Sequence, residues 1–280
     1  MDKELLQNIE SLIDAGFKED IKSGDLTTDL LISANTQTTA FMVAKADGII
    51  AGLPIAEKIF KKLDANVQFL PSVNDGDKIK SGDLICTIKG AYRALLTGER
   101  LALNFLQRIS GIATETSRYV EAVRNYHTEI LDTRKTLPGH RMLDKYAVKT
   151  GGGTNHRIGL YDMVMIKDNH ISVAGGITNA VHAIRPKIDE NIKIEVETTN
   201  LQQVEEALQA GADIIMLDNM DNPTMTKAVQ LINGKAKVEA SGNMSLERVT
   251  EVAATGVDYI SIGALTHSVK ALDISQRIKY

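Results

Sequence analysis

The sequence predicts an α/β chain whose second half is a parallel, incomplete barrel preceded by a smaller mixed domain. Three features carry that expectation. Apolar runs with polar ends recur after residue 128, helical stretches lie between them, and the side chains of the runs split into two faces. The runs are 129–135, 163–170, 193–199, 213–219, 237–243 and 258–264. Glu197, Asp218, Ser241 and Gly263 end the last four, at intervals of 21–23 residues. Strands alternating with helices of that length form βα units and a parallel sheet. One face carries Val164/Ile166, Ile194/Val196, Ile215/Leu217, Val238/Ala240 and Ile260/Ile262. The other carries Met165/Lys167, Glu195/Glu197, Met216/Asp218, Glu239/Ser241 and Ser261/Gly263. An open doubly wound sheet is apolar on both faces. An aliphatic face opposite a polar one fits a barrel with a polar upper lumen, and such barrels keep their chemistry at the C-terminal strand ends. Six strands are legible, so the barrel is incomplete or holds a seventh that the pattern does not place.

The first third is mixed. Leu5, Leu6, Ile9, Leu12 and Ile13 recur at helical spacing. Residues 39–50 read as a strand and 54–63 as a helix with Pro54 near its start. Residues 66–90 read as short strands between the turn signals Asn74-Asp75-Gly76-Asp77 and Ser81-Gly82-Asp83. That rhythm is similar to the β-rich hammerhead of biotinyl- and lipoyl-type domains. No Met-Lys-Met acceptor is present, so the segment is read as structure only. Residues 94–124 read as a long helix with a break near Ser110-Gly111. Leu101, Leu103, Phe105, Leu106 and Ile109 make its middle apolar on several sides, as in a helix buried between domains or subunits.

Composition excludes several classes. The 280 residues carry 32 Lys plus Arg against 36 Asp plus Glu, a formal charge of -4. That balance argues against a general nucleic-acid binder. No apolar run approaches the ~18 residues of a membrane span, and the N-terminus opens an amphipathic pattern without a signal-peptide core. Cys86 is the only cysteine, which suits a reducing compartment. The expectation is a cytoplasmic protein without nucleic-acid or membrane partners.

Charge is segregated within the repeats. Residues 134–170 hold seven Lys/Arg and three Asp, and residues 195–221 hold seven acids and no Lys/Arg. Meeting at one barrel mouth, they would bind anions on one side and a cation on the other. Arg134 and Lys135 follow a strand, and arginine offers carboxylate or phosphate a planar fork. Gly151-Gly152-Gly153 would let backbone N–H groups approach an anion; alone, such a run is as often only a flexible loop. Glu195 and Glu239 lie deep on the polar face and read as structural ion pairs. Glu197, nearer the rim, and Asp218 on the next strand suit hydrated Mg²⁺. Ser241-Gly242-Asn243 and Gly263-Ala264 end the last two strands, the usual place of a barrel phosphate site.

Taken together, DTRKTLPGHR (132–141), KYAVKTGGGTNHRIGLYDMVMIKDNH (145–170), VE (196–197), LDN (217–219), EASG (239–242) and GVDYISIGALTHS (256–268) occur in order. GDLTTDLL (24–31) and GERLALNFLQRISGIAT (98–114) precede them. The chain resembles, essentially end to end, the quinolinate phosphoribosyltransferase family, the carboxylating nicotinate-nucleotide pyrophosphorylases. The resemblance implies that quinolinate and phosphoribosyl pyrophosphate give nicotinate mononucleotide, pyrophosphate and CO2. It implies an N-terminal α/β sandwich over residues 1–110, a C-terminal α/β barrel over 111–270, and a segment 271–280 packing back on the first domain. It also implies a homodimer or higher homo-oligomer with shared active sites. Quinolinate would meet Arg134, His156, Arg157 and Lys167, with Arg100 supplied by the partner chain. Lys135, Ser241, Gly242, Asn243, Gly263 and His267 would hold phosphates, with Thr133, Ile262 and Ala264 in the same substrate-binding motifs. Lys135 would also act in catalysis. Glu197 and Asp218 would serve the ribose and, through water, Mg²⁺.

Other readings stay open on the residues alone. Lys167 at a strand end permits a Schiff-base lyase or aldolase. The same basic mouth permits a non-catalytic anion-binding regulator. A paralogue associated with molybdenum transport shares the pattern, and fold alone does not decide among them.

Overall fold

Helix α1 (Lys3–Asp20) buries Leu5, Ile9 and Ile13 at i, i+4, i+8, one stripe of a 3.6-residue period. The computed structural model to which it belongs describes residues 3–278. Contacts divide the chain into two compact units, Met1–Ser117, Thr136–Gly152 and Leu265–Tyr280 in one, and Arg118–Lys135 and Gly153–Ala264 in the other. These units are drawn by contacts alone. Residues 111–117, 136–152 and 265–270 fall in the first of them.

In the first unit, α2 (Leu26–Leu31) starts at Asp25, whose side chain accepts from Thr28 N–H. Strand β1 (Gln37–Ala44) is followed by the short β2 (Gly48–Ile49), so the single strand expected over 39–50 is broken. Then come α3 (Leu53–Leu63), β3 (Gln68–Pro71), β4 (Lys78–Ile79) and β5 (Leu84–Ala91). The last strand of the chain, β12 (Ile274–Ile278), pairs antiparallel with β1, giving the sheet order β12-β1-β5-β3. Ala40, Met42, Ile85, Ile88, Ile55, Ile59 and Phe60 fill the core behind it. Asp75 accepts from the N–H groups of Gly52 and Leu53 at 2.8 and 3.0 Å and so caps α3, which lacks a capping side chain of its own.

Helices α4 (Tyr92–Thr97) and α5 (Glu99–Val123) share the long helical stretch. The break falls at Gly98, not at Ser110-Gly111, and α5 runs straight through the latter. Gly111 has another purpose: a Cβ there would lie 2.3 Å from the Lys270 carbonyl oxygen. Helix α6 (Arg141–Thr150) carries Asp144, 1% exposed, whose carboxylate accepts from both the Nε and Nη2 of Arg108 on α5.

The second unit is built on six parallel strands. They are β6 (Glu129–Leu131), β7 (Val164–Ile166), β8 (Ile194–Thr198), β9 (Ile214–Asp218), β10 (Lys237–Ser241) and β11 (Tyr259–Ser261), in the order β6-β11-β10-β9-β8-β7. Among the described residues the edge strands β6 and β7 do not pair with each other, so the barrel is incomplete. Between and after the strands lie α7 (Asp168–Ala174), α8 (Ile177–Ile184), α9 (Leu201–Gln209), α10 (Asn222–Ile232), α11 (Leu246–Ala253) and the short α12 (Ala264–His267). Asn200 and Asp221 cap α9 and α10 through their side chains, whereas Ser245 sits at the cap of α11 without a capping bond to its backbone. Val196, Ile215, Leu217, Val238, Ala240 and Ile260 are buried with Val204, Ala207, Met225, Ala228, Val249 and Val252 of the helices. Fully burying a side chain of the Val, Leu or Met type is worth roughly 1.5–3 kcal/mol. That layer therefore supports the buried charges on the opposite face. Among the described residues no helix is long and apolar enough to cross a membrane.

Candidate active site

The register of the sheet places the polar residues together. Glu195 pairs with Met165, Glu197 and Glu239 both pair with Met216, and Ser241 pairs with Asp218. In a parallel sheet such partners share a face, so the carboxylates project into one lumen.

The deepest group is His156 with Glu195 and Glu239. Its Nε2 lies 3.1 Å from Glu195 and 3.2 Å from Glu239, and both carboxylates are excluded from solvent. Nδ1 accepts from the Arg157 N–H at 2.7 Å, while the His156 N–H donates to buried Asp132 at 2.8 Å. Burial opposes charging the imidazole, but the two carboxylates outweigh it and push His156 up to about 10. Burial first, and then the Glu239 carboxylate, push Glu195 up to about 7. The raised His156 value favours the imidazolium, whose positive charge faces the two carboxylates. The three ligand atoms are close enough together for a metal ion. The same closeness suits an imidazolium held between two carboxylates. Glu195 and Glu239 thus make the structural ion pairs expected of them, with His156 as partner. The His156 ring, expected at quinolinate, turns Nε2 toward these two carboxylates.

Above this cluster stand the cations. Arg157 donates through Nη1 to the Met163 carbonyl at 3.1 Å and reaches the Met165 sulfur at 3.5 Å. Burial, and then the positive charge of Arg134, pull the Arg157 guanidinium below its ordinary value. The carboxylates of Glu195 and Asp162 act on the same guanidinium in the opposite sense. Lys135 N–H donates to the Thr133 hydroxyl at 3.1 Å, fixing the turn after β6. Lys167, at the cap of α7, donates to Glu197 at 2.7 Å. Asp218 accepts from the Asn219 amide at 2.8 Å, and Asn219 accepts from the Asn243 amide at 3.0 Å. Ile262 is buried and its N–H donates to the Leu131 carbonyl at 2.9 Å, beside Gly263 and Ala264.

The glycine run does not work as an open anion cradle. The Gly151 and Gly152 N–H groups bond to the Ala147 and Lys149 carbonyls at the end of α6. A Cβ on Gly151 would lie 2.4 Å from the Ala113 carbonyl oxygen, so that glycine admits a close helix contact. Arg100 and His267 belong to the first unit. Arg100 borders a cavity of about 320 Å³ there, with Leu12, Glu19, Arg108, His140 and Asp144. His267 is exposed, its Nδ1 2.7 Å from the Ser268 hydroxyl. Sequence reasoning missed Asn219 and Arg248. The signal for Asn219 was an asparagine directly after a strand-ending aspartate, a type that tolerates left-handed backbone.

A parallel α/β unit with paired arginines, two lysines and two rim carboxylates at its strand ends defines an enzyme that handles anionic substrates. The chain belongs to the quinolinate phosphoribosyltransferase family: residues 25–110 match the family's N-terminal domain and 112–277 its C-terminal domain. The probable nicotinate-nucleotide pyrophosphorylase [carboxylating] of Bacillus subtilis (strain 168) is 46% identical over 270 residues, covering 96% of this chain and 93% of that protein. Quinolinate phosphoribosyltransferase [decarboxylating] 1b of Nicotiana tabacum is 44% identical over 290 residues, covering 97% and 82%. The crystal structure of NadC from Streptococcus pyogenes superposes with a TM-score of 0.96 at 41% identity, covering 100% of this chain and 99% of that one.

Proposed function

We propose that this chain transfers phosphoribosyl from phosphoribosyl pyrophosphate to quinolinate with decarboxylation, releasing nicotinate mononucleotide, pyrophosphate and CO2. The observation that carries the assignment of residues is the grouping at the strand ends of one sheet: Arg157 close enough to Arg134 to feel its charge, and Lys167 bonded to Glu197 at 2.7 Å. Such a group of cations suits a dianion. Arg134, Arg157 and Lys167 hold the two carboxylates of quinolinate and aim the ring nitrogen at C1 of the ribose. Lys135, Ser241, Gly242, Asn243, Gly263 and His267 hold phosphate oxygens in this reading. As pyrophosphate leaves, the ribose gains oxocarbenium character, and the carboxylates of Glu197 and Asp218 stabilise it.

Glu197 and Asp218 also fit Mg²⁺. They offer hard oxygen donors on neighbouring strands, and Mg²⁺ commonly takes one or two carboxylates plus substrate phosphate, keeping several waters. When bound, Mg²⁺ supplies charge neutralisation for the departing pyrophosphate. Loss of CO2 leaves the bonding pair on the ring carbon beside the quaternised nitrogen, which stabilises it until that carbon takes a proton from solvent. The Lys167–Glu197 ion pair uses the ammonium, not the neutral amine that a Schiff base needs.

The working unit in this reading is a homodimer in which Arg100 of one protomer completes the site of the other. Buried, unpaired Cys86 suits a cytoplasmic location. The test offers nicotinate in place of quinolinate, with phosphoribosyl pyrophosphate and Mg²⁺. Removing one carboxylate leaves a partly buried cation unpaired, so kcat/KM should fall by about 10²-fold or more. Equal efficiency on nicotinate would overturn the pocket assignment.

A further inference from the structure

Asp218 does not stand alone at the end of β9. The next residue, Asn219, has a left-handed backbone, φ +54°. That conformation turns its side chain back, and its Nδ2 donates to Asp218 Oδ2 at 2.8 Å. Its Oδ1 accepts from the Asn243 Nδ2 at 3.0 Å, and its N–H donates to the Ser241 carbonyl at 3.0 Å. Asn243 is also left-handed, φ +49°, and Gly242 between them has φ +93°. A Cβ on Gly242 would lie 2.2 Å from Asn219 Oδ1 and 2.5 Å from its Cγ. The glycine therefore makes room for the Asn219 amide. Arg248 on α11 ties both loops together: its Nη2 donates to the Met220 carbonyl at 3.0 Å and its Nη1 to the Gly242 carbonyl at 3.3 Å.

Two left-handed asparagines on two loops, Asn219 and Asn243, are costly for L-residues, while Gly242 takes positive φ freely. Here they converge on one carboxylate oxygen. We propose that Asn219 is a positioning residue for Asp218, held in place by Asn243 and by the space at Gly242. One Asp218 oxygen is fixed by the amide, so the other presents a defined lone pair to the ribose or its hydrated cation. The inference rests on the reading of Asp218 as a residue that acts on the sugar and metal. It extends that reading to a residue expected only to follow Asp218.

The test compares Asn219→Gly, Asn219→Asp and Asp218→Asn, singly and as the double variant Asp218→Asn/Asn219→Gly. Glycine keeps the left-handed backbone and deletes the amide. Aspartate keeps the acceptor for Asn243 but turns a like charge toward Asp218. Turnover, quinolinate Kd by calorimetry and thermal midpoint are measured for each. Asn219→Gly should lose about tenfold in kcat, the scale of one hydrogen bond to a charged group. Quinolinate Kd should stay within about twofold. Asn219→Asp should be worse than Asn219→Gly, although it is the closer isostere. In the Asp218→Asn background, Asn219→Gly should change turnover by less than about twofold, because the group it positions is already lost. An equal loss in both backgrounds, or Asn219→Asp as the mildest variant, would mark the loop as structural and overturn the proposal. Normal turnover of Asp218→Asn would overturn the reading of Asp218 itself, and the inference with it. Impaired Asp218→Asn beside unimpaired Asn219→Gly would overturn the inference alone.

Discussion

Replacing Gly111 by alanine separates helix propensity from packing, because the two effects have opposite signs. In an isolated helix the change would stabilise by about 1 kcal/mol. In α5 the new methyl carbon would lie 2.3 Å from the Lys270 carbonyl oxygen and 3.0 Å from the Ala271 Cα. An ordinary C···O approach is roughly 3.3 Å or more, so the 270–271 backbone must retreat by about 1 Å. Overpacking against a rigid neighbour costs about 1–3 kcal/mol. The retreat also strains two bonds next to the contact, Leu272 N–H to the Gln107 carbonyl at 2.9 Å and the Gln107 amide to the Ile274 carbonyl at 2.8 Å. Each is worth about 1 kcal/mol. The expected net loss is about 2 kcal/mol. At this chain length that lowers the thermal midpoint by roughly 4–8 °C. Calorimetry at fixed protein concentration measures it, and faster exchange of the Leu272 amide locates it. A midpoint that rises for Gly111→Ala would show that helix propensity decides and that the close contact does not.

Mixing folded Arg100→Ala and Arg134→Ala variants under proven subunit exchange should restore roughly a quarter of wild-type activity. A symmetric pair with shared sites gives heterodimers with one intact site; no recovery would place Arg100 in its own chain's site or in a structural role. Glu197→Gln should lower turnover by about 10²-fold while quinolinate still binds; lost binding with near-normal turnover, read by calorimetry and steady-state kinetics, would reverse that assignment. Burial pushes the Cys86 thiol up to about 12, so it should resist iodoacetamide in the native protein at pH 8 and react on unfolding. Because folding raises this pKa, the thiol's contribution to stability is full below pH 9, its ordinary value, and is lost as pH rises toward about 12. A pH series of denaturant midpoints against Cys86→Ala checks that sign.

Much of the second unit was legible because side-chain alternation is a strict physical period. The face carrying Glu195, Glu197, Asp218, Glu239 and Ser241 could be read two residues at a time, and the register sets those residues on one side of the sheet. What the pattern missed depended on contacts between distant segments. Ser110-Gly111 looked like a helix break because glycine weakens helices, yet Gly111 is there for the approach of Lys270. Helix α6 was not read as a helix. Its buried Leu143, Ala147 and Val148 do follow helical spacing, but the basic and glycine-rich blocks around them drew attention to chemistry. The glycines at 151 and 152 have the composition of an anion loop, yet their N–H groups end α6. His156 was legible as a site residue by its motif, but its ring orientation was not. That orientation depends on Glu195 and Glu239, 39 and 83 residues further along. Asn219 needed Gly242 and Asn243 on the next loop to give it meaning.

The most direct measurement uses quinolinate labelled with ¹³C in its 2-carboxylate, mixed with phosphoribosyl pyrophosphate, Mg²⁺ and the purified chain. Labelled CO2 and unlabelled nicotinate mononucleotide should form one for one, with neither appearing when phosphoribosyl pyrophosphate is left out. Release of CO2 without the sugar donor, or a nucleotide that keeps the label, would contradict the coupling of transfer to decarboxylation at this site.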